Sequence, residues 1–158
     1  MALSVRLGQE MEVNCIVNDY ISYYLQMNGY EWGSVNATPS KVNSSLRSLA
    51  NDFKTKYPDR ILKMTNDLNI HPSNACPILL GVSNELFSDG VTWTKIVAFF
   101  VFASEMALIC HRYGSDTKIV NDVAEWSTSY IKSNLLMWIT CNGGWNNLVT
   151  YFEQYHAI

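Results

Sequence analysis

The stretch "IVAFFVFASEMALIC" over residues 96–110 is apolar on nearly every side, with Glu105 as its one charge. At 15 residues it is shorter than the ~20 that a membrane span needs. A helix that is hydrophobic all round in a chain without a span has to be surrounded by other helices. The rest of the sequence must therefore supply amphipathic segments that wrap it.

Those segments can be read from spacing. Val13, Ile16, Val17, Tyr20, Ile21 and Tyr24 fall on one helical face, and Gly29 suits a stop just beyond it. "GYEWGSVNATPS" (29–40) reads as a loop leading to Ser40 as a helix cap. Val42, Leu46, Leu49, Phe53 and Tyr57 form a narrow apolar seam that Pro58 ends. A short helix is expected over 59–68 with Asp59 as its cap, followed by a break at "NIHPSNACP" and another short helix near 79–88. Gly90 suits a positive-φ turn, and Thr92 is placed to cap the central helix, which runs to about Arg112. "YGSD" (113–116) ends that helix and caps a successor whose face is Ile119, Val120, Val123, Trp126 and Ile131. Short helices around "LLMWI" and after "CNGGW" complete an all-α chain, expected as a single domain over 1–158.

Composition excludes several functions. A formal net charge of -3 with no run of like charges gives no footprint for nucleic acid or an anionic membrane. Cys15, Cys76, Cys110 and Cys141 have no paired spacing, which reads as reduced thiols and a cytoplasmic setting. No signal peptide opens the chain, so the sequons at Asn36 and Asn43 read as accidents of composition. The chain stops at "YFEQYHAI", so no C-terminal membrane anchor is expected in it. His71, His111 and His156 lack the spacing of a metal or triad site, and Cys110-His111 reads as a buried thiol beside a helix-end histidine. No phosphate loop or nucleophile motif is present; an enzyme, a cofactor and a metal are not expected.

Four stretches, in order, resemble the Bcl-2 family of apoptosis regulators. "VSNELFSDGVTWTKIVAFF" (82–100) is similar to the family's first homology motif and "WITCNGGWNNLV" (138–149) to its second. "VNDYISYYLQMNGYEW" (17–32) resembles the fourth, and "SLRSLANDF" (45–53) the third, the death motif. The resemblance implies a helical bundle with a surface groove that holds the amphipathic death-motif helix of a pro-apoptotic partner. It implies groove walls from Phe53, Tyr57, Ile61, Met64, Val82, Glu85 and Leu86. The floor and polar edge would come from Thr92, Thr94, Lys95, Val97, Ala98 and Phe102, with Phe152 at the groove's end. Trp93, Trp138, Gly143, Gly144 and Trp145 match motif positions that anchor helices to the core.

Lys95 stands where the family carries arginine, the partner of the ligand's aspartate; a lysine supplies the charge without the bidentate fork. Thr94 replaces the motif's glycine, which implies a narrower ligand range. In the death-motif stretch, Ala50-Asn51 replaces the expected Gly-Asp pair, making this chain a poor ligand itself. The resemblance thus implies an inhibitor of apoptosis, similar to compact virus-encoded members, cytoplasmic and peripherally at mitochondria. Alternatives are a pore-forming killer and a Bcl-2-like fold serving other signalling partners; an aromatic-rich surface would also suit a homodimer.

Overall fold

The computed structural model describes residues 2–33, 35, 37–114 and 117–156, with side-chain surroundings from Gly8 onward. Eight α-helices follow in order among the described residues: α1 Ala2–Met27, α2 Lys41–Lys56, α3 Pro58–Leu68, α4 Ala75–Leu86, α5 Trp93–Gly114, α6 Thr117–Tyr130, α7 Leu136–Cys141 and α8 Asn146–His156. A π turn, Ile131–Leu135, joins α6 to α7.

The all-apolar stretch is the middle of α5, and α1, α2, α3, α4 and α6 all pack against it. Ile96, Phe99, Phe100, Val101, Met106 and Leu108 are buried on every side of that helix. The six residues of the α1 face are distributed as the spacing requires, with Val13 to Ile21 buried and Tyr24 half-buried beside Glu105. Tyr24 donates its hydroxyl proton to the Glu105 carboxylate, and Lys54 lies 3.5 Å from the Tyr24 ring centroid. The one charge in the apolar run is thereby satisfied by a neighbouring helix, as a buried carboxylate must be.

The helix ends follow local chemistry. Gly29, at φ 86°, closes α1 with bonds from Tyr30 N to Leu25 O (2.9 Å) and from Gly29 N to Gln26 O (3.0 Å). Ser40 caps α2, its hydroxyl accepting from Asn43 N at 3.1 Å, and Thr92 caps α5 by accepting from Lys95 N at 3.2 Å.

Two expected boundaries are corrected. Asp59 does not cap α3: Tyr57 is the boundary residue and Pro58 takes the first helical position, which leaves Asp59 in the first turn, where its charge suits the helix dipole. The helix expected near 79–88 begins at Ala75 and ends at Leu86, because Pro77 falls in the first turn, where its missing N–H has no intrahelical acceptor to lose. The cap expected at Ser115 and Asp116, and the sequon at Asn36, lie outside the described residues.

Candidate ligand groove

The face where α2, α5 and α8 meet carries a cavity of about 210 Å³. Four of the expected groove residues line it: Phe53 and Tyr57 from the end of α2, Thr94 and Val97 from the start of α5. Leu49, Asp52, Lys56, Tyr151 and Tyr155 complete the wall. The apolar seam of α2 explains the convergence, since residues 46, 49 and 53 must face α5 and bring Tyr57 to its rim. Phe53 and Tyr57 then pack ring against ring at 5.1 Å.

Lys95 follows Thr94 in the first turn of α5 and is half-buried, but it is not among the residues that line the cavity. Its ammonium bonds to the carboxylate of Asp89 and donates to Gly90 O at 3.1 Å. Gly90, at φ 123°, turns the chain so that Asp89 comes back over the first turn of α5. A cation there opposes the helix dipole, and the acid six residues earlier offsets it. The Lys95 ammonium in turn holds the Asp89 carboxyl below the usual carboxylate range. The Asp89 side chain is 82% exposed and that of Lys95 26%, so the acid faces solvent while the lysine is largely covered.

Other expected wall residues stand along the same side without entering that cavity. Ile61 and Met64 on α3, and Val82 and Leu86 on α4, are half-buried and pack on the core. Glu85 and Thr92 are exposed, and Ala98 is half-buried. Phe102, at 2% exposure, is buried in the core and does not line the cavity. Phe152 lies outside the cavity lining, its ring 4.4 Å from that of His156.

The motif tryptophans form one aromatic cluster. Trp93 meets Trp138 edge-on at 5.2 Å and Trp145 at 6.1 Å, and Trp145 meets Phe100 at 6.3 Å. Gly143 (φ 96°) and Gly144 (φ 75°) make the turn that feeds Trp145 inward, with Gly144 N bonded to Ile139 O at 2.8 Å. A Cβ on Gly143 would also press on Asn147 at 3.1 Å.

On the α8 side, sequence reasoning named Phe152 and missed Tyr151 and Tyr155, the residues that line the cavity. Thr94 Oγ1 and the Tyr151 hydroxyl share a hydrogen bond of 2.7 Å, Lys56 Nζ donates to Tyr155 OH at 2.9 Å, and His156 Nε2 lies 2.8 Å from Asp52 Oδ2. The signal available was the tyrosine pair of "YFEQY", four apart and so on one helix face. A larger open concavity of about 1020 Å³ lies between α1 and α6, walled by Asn14, Asn18, Asn43, Asn121 and neighbouring hydroxyls. Its wall mixes Trp32 and Ala124 with these polar groups, and none of the expected groove residues line it.

Comparisons with known proteins agree with this architecture. Residues 46–145 match the family described as "Apoptosis regulator proteins, Bcl-2 family". Apoptosis regulator R1 of Xenopus laevis is 27% identical over 138 residues, covering 87% of this chain and 60% of that protein. Human Bcl-2-like protein 1 is 35% identical over 112 residues, covering 70% of this chain and 47% of its own length. The chain thus spans about half the length of the curated relatives it matches. The crystal structure of Trichoplax adhaerens trBcl-2L2 bound to trBak BH3 superposes with a TM-score of 0.82 at 32% identity, covering 91% of this chain and 99% of that one. With its apolar α5 wrapped by amphipathic helices and the motif match spanning most of its length, the chain belongs to the Bcl-2 family of apoptosis regulators.

Proposed function

We propose that the protein restrains apoptosis by holding the death-motif helix of a pro-apoptotic relative against the α2–α5–α8 face. The observation that carries this reading is a cavity walled by Phe53, Tyr57, Thr94 and Val97 at the start of α5, where Lys95, next in the chain after the lining Thr94, is a half-buried cation. An amphipathic helix places its apolar stripe in such a cavity and its aspartate on the lysine. The likeness to trBcl-2L2, whose structure holds a BH3 segment, supports the same mode here.

Sequestration rather than killing is supported by how the chain's own death-motif stretch is held. Ala50 is fully buried, and Asn51, which replaces the expected aspartate, donates to Tyr23 OH at 3.0 Å. Arg47 grips Asp19 through Nη2 at 2.7 Å and Nε at 3.2 Å. Residues 47, 51 and 54 thereby tie α2 to α1 along one stripe. A helix tied in this way is a scaffold for the groove and a poor ligand for another. Narrow selectivity follows from Thr94, whose hydroxyl is engaged by Tyr151 where the motif's glycine would leave open backbone. The short connection over residues 28–40 supports a compact member of the virus-encoded type, acting from the cytoplasm at the mitochondrial surface.

Calorimetric titration with a panel of death-motif peptides tests this, alongside Lys95→Glu. One or a few peptides bind tightly, and the variant loses at least about tenfold in affinity, roughly 1.4 kcal/mol. If no peptide binds at about tens of micromolar, the sequestering reading is wrong.

A further inference from the structure

The second half of α8 lies over the cavity with side-chain ties and half-buried packing, while its fully buried contacts are confined to its start. Leu148 is the one buried side chain of α8, with Trp145 buried just ahead of it. Beyond Leu148 the helix lies against its neighbours through half-buried Val149, Tyr151 and Phe152. Its remaining attachments are polar: Tyr151 to Thr94 on α5, Tyr155 to Lys56 on α2, and His156 to Asp52 on α2. Such ties at exposed positions are individually weak and easily exchanged for water.

Tyr151 and Tyr155 are one helical turn apart, so both rings lie over the same opening; their centroids are 6.4 Å apart. Beneath them are Leu49 and Val97, the latter only 3% exposed. The cavity is therefore covered by a part of α8 in which no side chain is fully buried. Segments with few buried apolar contacts and exposed hydrogen bonds open first.

We propose that residues 151–156 are a latch on the groove, closed by the Thr94–Tyr151 and Lys56–Tyr155 hydrogen bonds, which a partner's helix must release to seat an apolar side chain over Val97. The latch rests on the groove reading for its biological meaning, though not for its own test. Thr94 then acts through its hydroxyl as well as its bulk, by fastening the roof. A partner gains entry only if its apolar anchor replaces what the two tyrosines cover, so selectivity is set at the α8 end as well as at Lys95.

The test places a reporter thiol on the cavity floor with Val97→Cys and follows its alkylation, resolved from the native cysteines by mass spectrometry. Adding Tyr151→Phe with Tyr155→Phe removes the two hydroxyls and keeps the rings, so the bundle is retained, as circular dichroism will show. We expect labelling at position 97 to rise about fivefold or more, amide exchange over 151–156 to quicken, and exchange in α5 to stay unchanged. Thr94→Ala, which cuts one tie from the other side, should raise labelling in the same direction. Unchanged labelling in both variants overturns the latch, as does a rise accompanied by general loosening of α5. If labelling rises and no death-motif peptide binds any of these proteins, the latch stands and the sequestering function falls. If peptides bind and labelling is unchanged, the reverse holds.

Discussion

Lys54 and Cys110 show how two side chains on the same core respond to alkali in opposite directions. Burial pushes the Lys54 ammonium down to about 8 from its ordinary 10.5, and Glu105 pulls partly the other way. The unfolded chain then binds more protons than the native one between those values, so this residue makes stability rise with pH from about 8 upward. Burial pushes the Cys110 thiol up to about 11 from 9.0. The unfolded thiol ionises first, so its contribution is intact below pH 9 and is lost as pH rises to about 11. Thermal melts across this range should show that Lys54→Met abolishes the gain and Cys110→Ala abolishes the loss. Each swing is on the order of 2 kcal/mol or less once solvent screening is allowed for. Matching pH profiles for wild type and Cys110→Ala would contradict the assignment. A thiol held protonated in this way is also a poor nucleophile near neutral pH.

At the scale of the element, Ser40 has extended backbone (ψ 165°) and its hydroxyl satisfies one orphan amide of α2. Ser40→Ala should therefore cost about 1 kcal/mol in a urea melt, with little change in slope. Caps of this kind were legible because they are local: Ser40, Thr92 and Gly29 each announce a helix end within a few residues. The central helix was legible because no other arrangement buries so continuous an apolar run. Asp59 and the start of α4 were misjudged because proline has two meanings, a stop inside a helix and a favoured residue in its first turn. Phe53, Tyr57, Thr94 and Val97, which line the cavity, were named through motif resemblance, not periodicity. Tyr151 and Tyr155 were not, because nothing local fixes which side of an 11-residue helix meets a helix nearly a hundred residues earlier.

For the whole molecule, the decisive fact is that α5 is mostly covered. At 22 residues it extends beyond the 15-residue run that is too short to span, and it is apolar enough by length and composition to cross a bilayer. Placing it in lipid requires the surrounding helices to part. α2 is tied to α1 through Arg47, Asn51 and Lys54 and to α8 through Asp52 and Lys56, on both flanks at once. We expect the folded protein to leave dye-loaded liposomes intact at neutral pH; release rising with protein concentration would favour the pore-forming alternative. The π turn at Ile131–Leu135 bears on how this cover is made. There Leu136 N bonds back five residues to Ile131 O, so one continuous rod from Thr117 to Cys141 is out of phase with itself across that point. It behaves as a dislocation does in a crystal: the lattice on either side is regular, and the fault lets the two halves face different ways. Val123 and Tyr130 are buried before it and Leu135 and Ile139 at and after it, so both sides of the fault stay on the core while the backbone ladder continues through it.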